Sequence, residues 1–417
     1  MKNNCLYFLV LLFVQLGFAQ NKFSWQGYFS YNEIKAVSES SNTLYAASEN
    51  ALFSKNTSTN EIKTTNTIDG LSGQTISAVY HSVKFNKTVV GYENGLIIVI
   101  NESDGKMLNV VDIISKQLPS ELKRVNHFME FDGIAYISCD FGIVQFNLAT
   151  MQFGDTYFIG DNGAEIKVKQ TALFNGFIYA ATNKGIRRAS ITNPNLIDFN
   201  QWKTIVGGSW VSATTFGTDL FSINAVGNIH KYNVGLDSFV NSIQLSQSSS
   251  DARSIAGYMI VTTSSSIYIY NTQMALRQIN ATQISEITPT FTCATIIGDT
   301  VFIGTKENGM ITISLSATTQ FENITPIGPL RNNVFSITAS SKALWAVYGL
   351  YPSNYNPYES PQGGPSLYGI SKLDYTTWLN IPASQVLGAR ALSNIAINPK
   401  NNDEVYISSF FSGLLKV

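Results

Sequence analysis

The sequence predicts an all-β fold, a β-propeller of four-stranded antiparallel blades, and three observations carry that expectation. A hairpin unit recurs along almost the whole chain at a nearly constant interval. Each copy is flanked by further short strands rich in β-branched and aromatic residues. Beyond residue 20 no stretch of useful length has helical periodicity; the nearest, Val111 to Lys123, contains Pro119 and reads as a connection between blades.

The clearest copy of the unit is Thr88 to Ile100, TVVGYENGLIIVI, two strands joined by Glu93-Asn94-Gly95, where Asn and Gly can take the positive φ that right-twisted hairpins need. In chain order its variants start at Thr43, Ile134, Phe177, Asp219, Tyr258 and Thr300, with an interrupted copy at Ala343 and a last one at Glu404. The turns fall at Asn50, Gly95, Gly142, Gly185, Gly227, Ser266, Gly309, Gly369 and Gly413, and only the step into Gly369 is long, at 60 residues. That step demands an insertion.

Upstream of the hairpin lies another strand, as in Thr75 to Tyr80, Arg124 to Met129, Lys167 to Leu173, Trp210 to Thr215 and Asn333 to Thr338. Asp132-Gly133 and Asn175-Gly176 supply tight turns into the next strand. Downstream, a polar turn, one aromatic residue and an isoleucine mark a fourth strand, as in Asn200 to Ile205, Thr319 to Ile324 and Thr376 to Ile381. Four antiparallel strands per unit, repeated, indicate propeller blades, whereas a β-helix has shorter repeats without regular hairpins.

Nine units exceed the usual propeller of up to ~8 blades. The arithmetic therefore favours a seven-bladed first propeller, residues 21–330, followed by residues 331–417 as the start of a second, incomplete one. The last unit stops near its third strand, so the chain reads as the front part of a longer protein.

Residues 1–20 read as a signal peptide: Lys2, the apolar run Cys5 to Leu16, then the small residues Gly17 and Ala19 at the cleavage site. The run is too short to cross a bilayer, which takes ~20 residues, and no later stretch is longer, so no transmembrane segment is expected once the signal is removed. Cys139 and Cys293 then remain, each in a strand pattern that suits a small buried residue. Lys plus Arg number 27 and Asp plus Glu 28, without basic or acidic blocks, which argues against nucleic acid as a partner.

Trp25-Gln26-Gly27-Tyr28-Phe29-Ser30-Tyr31, Leu44 to Ser48 with Leu52-Phe53, and above all Asp69-Gly70-Leu71-Ser72 leading to Val89 to Gly95, resemble the PorZ-like family of the type IX secretion system, whose propellers are of the two-component-regulator type. The resemblance implies an exported, non-catalytic subunit of the attachment complex at the outer-membrane surface. It further implies work beside the sortase-like protease PorU and other attachment-complex subunits, and binding of anionic lipopolysaccharide. Family members end in a β-sandwich sorting domain after a second propeller, and this sequence contains neither that domain nor a whole second ring. The same motifs are more distantly similar to the periplasmic sensor propellers of hybrid two-component regulators. That sensor role, or a propeller glycosidase or lyase, is the alternative.

No catalytic constellation emerges from the residues. His81, His127 and His230 lie in different repeats, and His127 with Glu130 and Asp132 reads as a core imidazole beside two solvated turn carboxylates rather than a metal site. Arg187-Arg188 reads as a solvated pair on opposite strand faces. No cofactor is expected. The insertion Gly349 to Ser366 contains four prolines and three glycines, and its Tyr351, Tyr355 and Tyr358 have no strand periodicity. They are the candidate ligand-binding residues, since long insertions on a rigid scaffold carry binding and tyrosine offers a flat apolar face with a hydroxyl. The other reading of that insertion is a spacer packed on the second propeller.

Overall fold

The structure is a computed structural model that describes residues 26–284, 287–317, 320–349 and 367–417. Both the expected signal peptide and the insertion with Tyr351, Tyr355 and Tyr358 lie outside the described residues. Among those described, the chain forms eight four-stranded antiparallel sheets and a final three-stranded one, with only short 3-10 turns besides. Strands follow one another in spatial order within every sheet, so each sheet is a contiguous meander.

Seven sheets form a closed ring. Their first strands are Ala36–Glu39, Ile76–Ser82, Val125–Phe131, Val168–Phe174, Trp210–Phe216, Ser249–Ile255 and Phe291–Ile297, and each packs on the next, with the seventh returning to the first. The reason is burial. A sheet whose strands read Val89, Val90, Ile97, Ile98, Val99 has apolar side chains on both faces, so it needs a neighbour on each side.

Each seam has its own core. Ala78, Val89 and Val99 of the second sheet meet Val125, Phe128 and Ile137 of the third, and corresponding clusters fill the other seams. The closing seam joins Tyr31, Ile34, Val37 and Phe53 to Cys293, Phe302 and Met310. Here the two ends of the ring share no sheet. They are tied by the Ile34 N–H donating to the Thr305 carbonyl at 2.9 Å and the Gly309 N–H donating to the Asn32 carbonyl at 2.8 Å.

The eighth sheet begins at Ser336–Ala339 and the ninth at Leu392–Asn398, and these two share a further core around Trp345, Val347, Leu392 and Val405. A short connection ties them to the ring. Ser30 Oγ and Asn32 Nδ2 donate to the Leu330 carbonyl at 2.8 and 3.2 Å, while the Leu330 N–H donates to Ser371 Oγ of the eighth sheet at 2.9 Å. Tyr28 meets Trp378 edge to face at 5.5 Å.

The turn chemistry differs from expectation at one detail. Asp132-Gly133 and Asn175-Gly176 are left-handed at both residues, as such two-residue turns require. In Glu93-Asn94-Gly95 only Gly95 is, at φ +87°; Asn94 instead uses its Oδ1 to accept the Leu96 N–H at 3.0 Å. A Cβ on Gly95 would also stand 2.6 Å from Ile113 Cγ2 and 3.0 Å from the Lys123 carbonyl oxygen, whereas Gly176, at φ +78°, faces open space. Gly95→Val therefore combines backbone strain of about 1–3 kcal/mol with a clash in the seam to the third sheet. In thermal unfolding it is expected to lower Tm clearly more than Gly176→Val does; equal shifts would contradict this packing.

Candidate functional site

The ring encloses a central channel of about 1210 Å³, walled by the seven first strands. What positions its side chains is a feature shared by those strands. Pairing with the second strand slips by one residue between Ile76 and Ala78, and likewise at Asn126, Lys169, Val211, Ser250 and Thr292. In the first sheet Lys35 takes this place, its N–H donating at 2.8 Å to the carbonyl of Ala47, the residue that pairs with Ala36.

Such a bulge leaves one residue unpaired, bends the strand and re-aims a side chain. The residue before it is buried in the seam in six of the seven sheets, as Ile34, Ile76, Val125, Val168, Trp210 and Phe291. The bulged residue itself is not buried. One end of the channel is thus ringed by Lys35, Ser77, Asn126, Lys169, Val211, Ser250 and Thr292.

Midway along, two side chains span the channel between sheets that are not neighbours. Gln170 of the fourth sheet donates from Nε2 to the Ala252 carbonyl of the sixth at 3.0 Å. Arg253 of the sixth donates from Nη1 to the Val37 carbonyl of the first at 2.8 Å, and its Nε and Nη2 meet both oxygens of Asp251 at 2.9 and 3.1 Å. Glu39 lies 3.7 Å from the same guanidinium and accepts from Thr295 Oγ1 at 2.6 Å. Although Arg253 is half-buried, and desolvation alone would lower its pKa, Asp251 and Glu39 more than offset this and hold it above the ordinary arginine range.

The two ends differ in charge. Beside the bulge ring lie Arg124 and Lys167, paired with Glu93 and with the buried Asp140, the latter at 2.7 Å. The far end carries Glu39, Glu130, Asp132, Tyr80 and Lys84. Glu130 is not simply solvated there, since Tyr80 donates its hydroxyl to it at 2.9 Å.

His127 is likewise not an ordinary core residue but lines the channel, with its Nδ1 buried and without a partner. Burial pulls its pKa down to about 4, helped by Arg253 and opposed by Asp251. His81 is also drawn down to about 4 by burial; it stacks on Tyr45 with centroids 4.3 Å apart and meets Thr88 Oγ1 through Nδ1 at 3.1 Å. Thr88 in turn donates to Glu102 at 2.5 Å, at the edge of a cavity of about 280 Å³ between the first two sheets.

The arginine pair is on opposite faces as anticipated, but neither side chain is solvated. Arg187 is buried and donates to Asp161 at 2.7 Å. Arg188 reaches across a seam to Tyr232 at 2.8 Å and Asp237 at 2.6 Å, with Lys203 on the same carboxylate at 2.6 Å. The Arg188 contact is an inter-sheet staple, and the Arg187 contact ties the fourth sheet to the turn that leads into it. Cys139 and Cys293 are free thiols, buried as expected, and burial pushes Cys293 up to about 12. Among the described residues no group of three or more His, Cys, Asp or Glu is arranged to hold a metal, and no helix is long and apolar enough to cross a membrane.

The bulge ring and the plug escaped the sequence reading. A signal was present, since in six of the seven sheets a buried apolar residue is followed by a half-buried one, but a one-residue slip looks like ordinary alternation in a linear sequence.

Residues 44–203 match the family model described as the N-terminal β-propeller domain of PorZ from the type IX secretion system. No curated protein is matched by sequence. Among solved structures the chain is similar to PorZ of Porphyromonas gingivalis, described as an essential bacterial surface component of the type IX secretion system, with TM-score 0.75, 19% identity and 94% of this chain covered. The chain spans about half of that protein, 52% of its length. Weaker likenesses are to BamB from Moraxella catarrhalis (TM-score 0.44, 13% identity, covering 67% of this chain and 82% of that one) and the computationally designed Ika8 protein (TM-score 0.46, 10% identity, covering 76% and 94%). The matched segment is similar to the PorZ N-terminal propeller, and the fold is similar to that of PorZ.

All three histidines have lowered pKa values, and the two that are drawn down to about 4, His81 and His127, carry a pH dependence. Their folded pKa of about 4 lies below the ordinary 6.5, so the unfolded chain binds more protons between those values, and stability falls as pH drops from 6.5 towards 4. Tm measured across this window is expected to decline, and less steeply in His81→Phe, which keeps a ring against Tyr45 but cannot take up a proton. An unchanged slope in that variant would remove His81 from the account.

Proposed function

We propose that this chain is a non-catalytic, exported component of the type IX secretion machinery at the cell surface. The observation that carries the reading is the match of residues 44–203 to the PorZ N-terminal propeller, in a chain whose fold follows PorZ over 94% of its length. Fold alone would not choose, because propellers host enzymes, sensors and scaffolds alike. In finer detail, the protein sits at the outer-membrane surface, works beside the sortase-like protease PorU and other subunits of the attachment complex, and binds anionic lipopolysaccharide. Residues 21–330 act as one rigid propeller, and residues 331–417 open a second.

A scaffold role agrees with the chemistry of the channel. Its central carboxylates are engaged, Asp251 by Arg253, Glu39 by Thr295 and Glu130 by Tyr80, rather than poised as a free acid and base pair. Deleting the gene is expected to leave exported cargo with its sorting domain uncleaved and the cargo unattached to the surface. Normal cargo maturation in the deletion strain would overturn the secretion role and favour the sensor reading.

Tyr351, Tyr355 and Tyr358 serve in this proposal as a contact surface for polysaccharide or for a partner subunit. Replacing all three by alanine is expected to weaken such binding by a few kcal/mol in total, as truncating aromatic anchors does, while Tm changes little. A large loss of Tm with binding retained by the folded fraction would instead make them packing residues.

A further inference from the structure

The cavity of about 280 Å³ on the flank of the ring, between the first two sheets, has a composition that neither packing nor the scaffold role uses. Part of its wall is apolar, with Tyr45, Leu52 and Phe53 from the first sheet and Ile100 and Met107 from the second. Three charged side chains complete it, Glu102, Asp69 and Lys63, and among the described residues none of the three has an ion-pair partner. Asp69 and Lys63 are exposed, and Asp69 accepts the Asn66 N–H at 2.9 Å. Glu102 is half-buried. The cavity thus carries one unmatched negative charge.

Glu102 is held in place from behind. Thr88 gives its single hydroxyl proton to Glu102 Oε1, so its oxygen accepts from His81 Nδ1, 3.1 Å away, and the imidazole must carry its proton there. Both supports are firm, since Thr88 and His81 are buried and His81 is stacked on Tyr45. Glu102 Oε2 has no protein donor among the described residues. Tyr45 feels the carboxylate, for burial pushes its hydroxyl up to about 12 and the Glu102 charge adds to the effect. An oriented carboxylate with one oxygen unused, no countercharge and aromatic rings on the same wall is the setting that favours an organic cation.

We propose that this cavity binds a primary amine carried on an apolar body, with the ammonium on Glu102 Oε2 and the apolar part against Leu52, Phe53, Ile100 and Met107. One unmatched negative charge selects one cationic group, and in a half-buried setting such a pair is shielded less by salt than at an open surface. Met107, with its flexible thioether, adapts to the shape of the body. A small anion is disfavoured by the two carboxylates, and a sugar would leave the apolar wall without matching surface. This assignment stands independently of the secretion role.

The test is calorimetric titration of the whole chain with four probes. Phenethylamine stands for a free amine and Nα-acetyl-lysine methylamide for the same group on a protein side chain, while 2-phenylethanol and 3-phenylpropanoate are the neutral and anionic controls. At least one amine is expected to bind about tenfold or more tightly than either control, and the tighter of the two identifies the source of the ammonium. Glu102→Gln, which can still accept from Thr88, should abolish that preference. Lys63→Glu, at an exposed position without an ion-pair partner among the described residues, should tighten amine binding several-fold with Tm unchanged, and it decides the matter even if the Glu102 variant fails to fold. Absence of saturable binding by either amine, a control binding as tightly as the amines, or amine affinity unaltered in Lys63→Glu would each overturn the proposal.

Discussion

Everything in this molecule depends on a sheet that is apolar on both faces. A four-stranded meander of Val, Ile, Tyr and Phe has no polar side to offer to water, so it is stable only between two like neighbours. Repetition around an axis satisfies that need for every copy at once and leaves only short outer edges. Seven seams, each with its own compact core, are the result. The polar staples, such as Arg188 on Asp237 and Tyr232, sit at the margins of those seams and fix their alignment.

The repeat was legible in the sequence because hairpins write themselves into composition. Positive φ at Asp132-Gly133 and Asn175-Gly176 requires residues from a short menu, and β-branched runs of five or six residues on either side leave little choice of structure. The fourth strands leave a fainter trace; Glu322–Asn323 is only two exposed residues long, and it is Phe321 and Ile324 on either side that mark it. The channel was illegible for a different reason. Side chains that meet there come from seven strands spread over most of the chain, and the slip that aims them leaves no composition of its own. Arg187 and Arg188 were misjudged on the same ground, since their partners Asp161 and Asp237 lie 26 and 49 residues away.

Fold and site are coupled through that slip. The bulge lets the residue before it stay in the seam while its successor turns to the channel, so the same local geometry supplies packing and lining. Below it, the crossing of Gln170 and Arg253 links sheets four to six and six to one. The channel is thus braced across its width by hydrogen bonds to backbone carbonyls, which do not depend on what the neighbouring side chains are.

The closing seam has a consequence for how the chain comes to be folded. Because no strand is exchanged between the ends of the ring, Tyr31, Ile34 and Val37 of the first sheet wait for Cys293, Phe302 and Met310 of the seventh, and Ser30 waits for Leu330 and Asn332, the latter 302 residues on. A polypeptide that emerges or is exported amino end first holds one apolar face bare through most of that passage. The earlier seams can form in sequence, each between adjacent sheets, but the ring acquires its stability only at the last. Its amino-terminal face is therefore the surface that a holding chaperone would meet for longest.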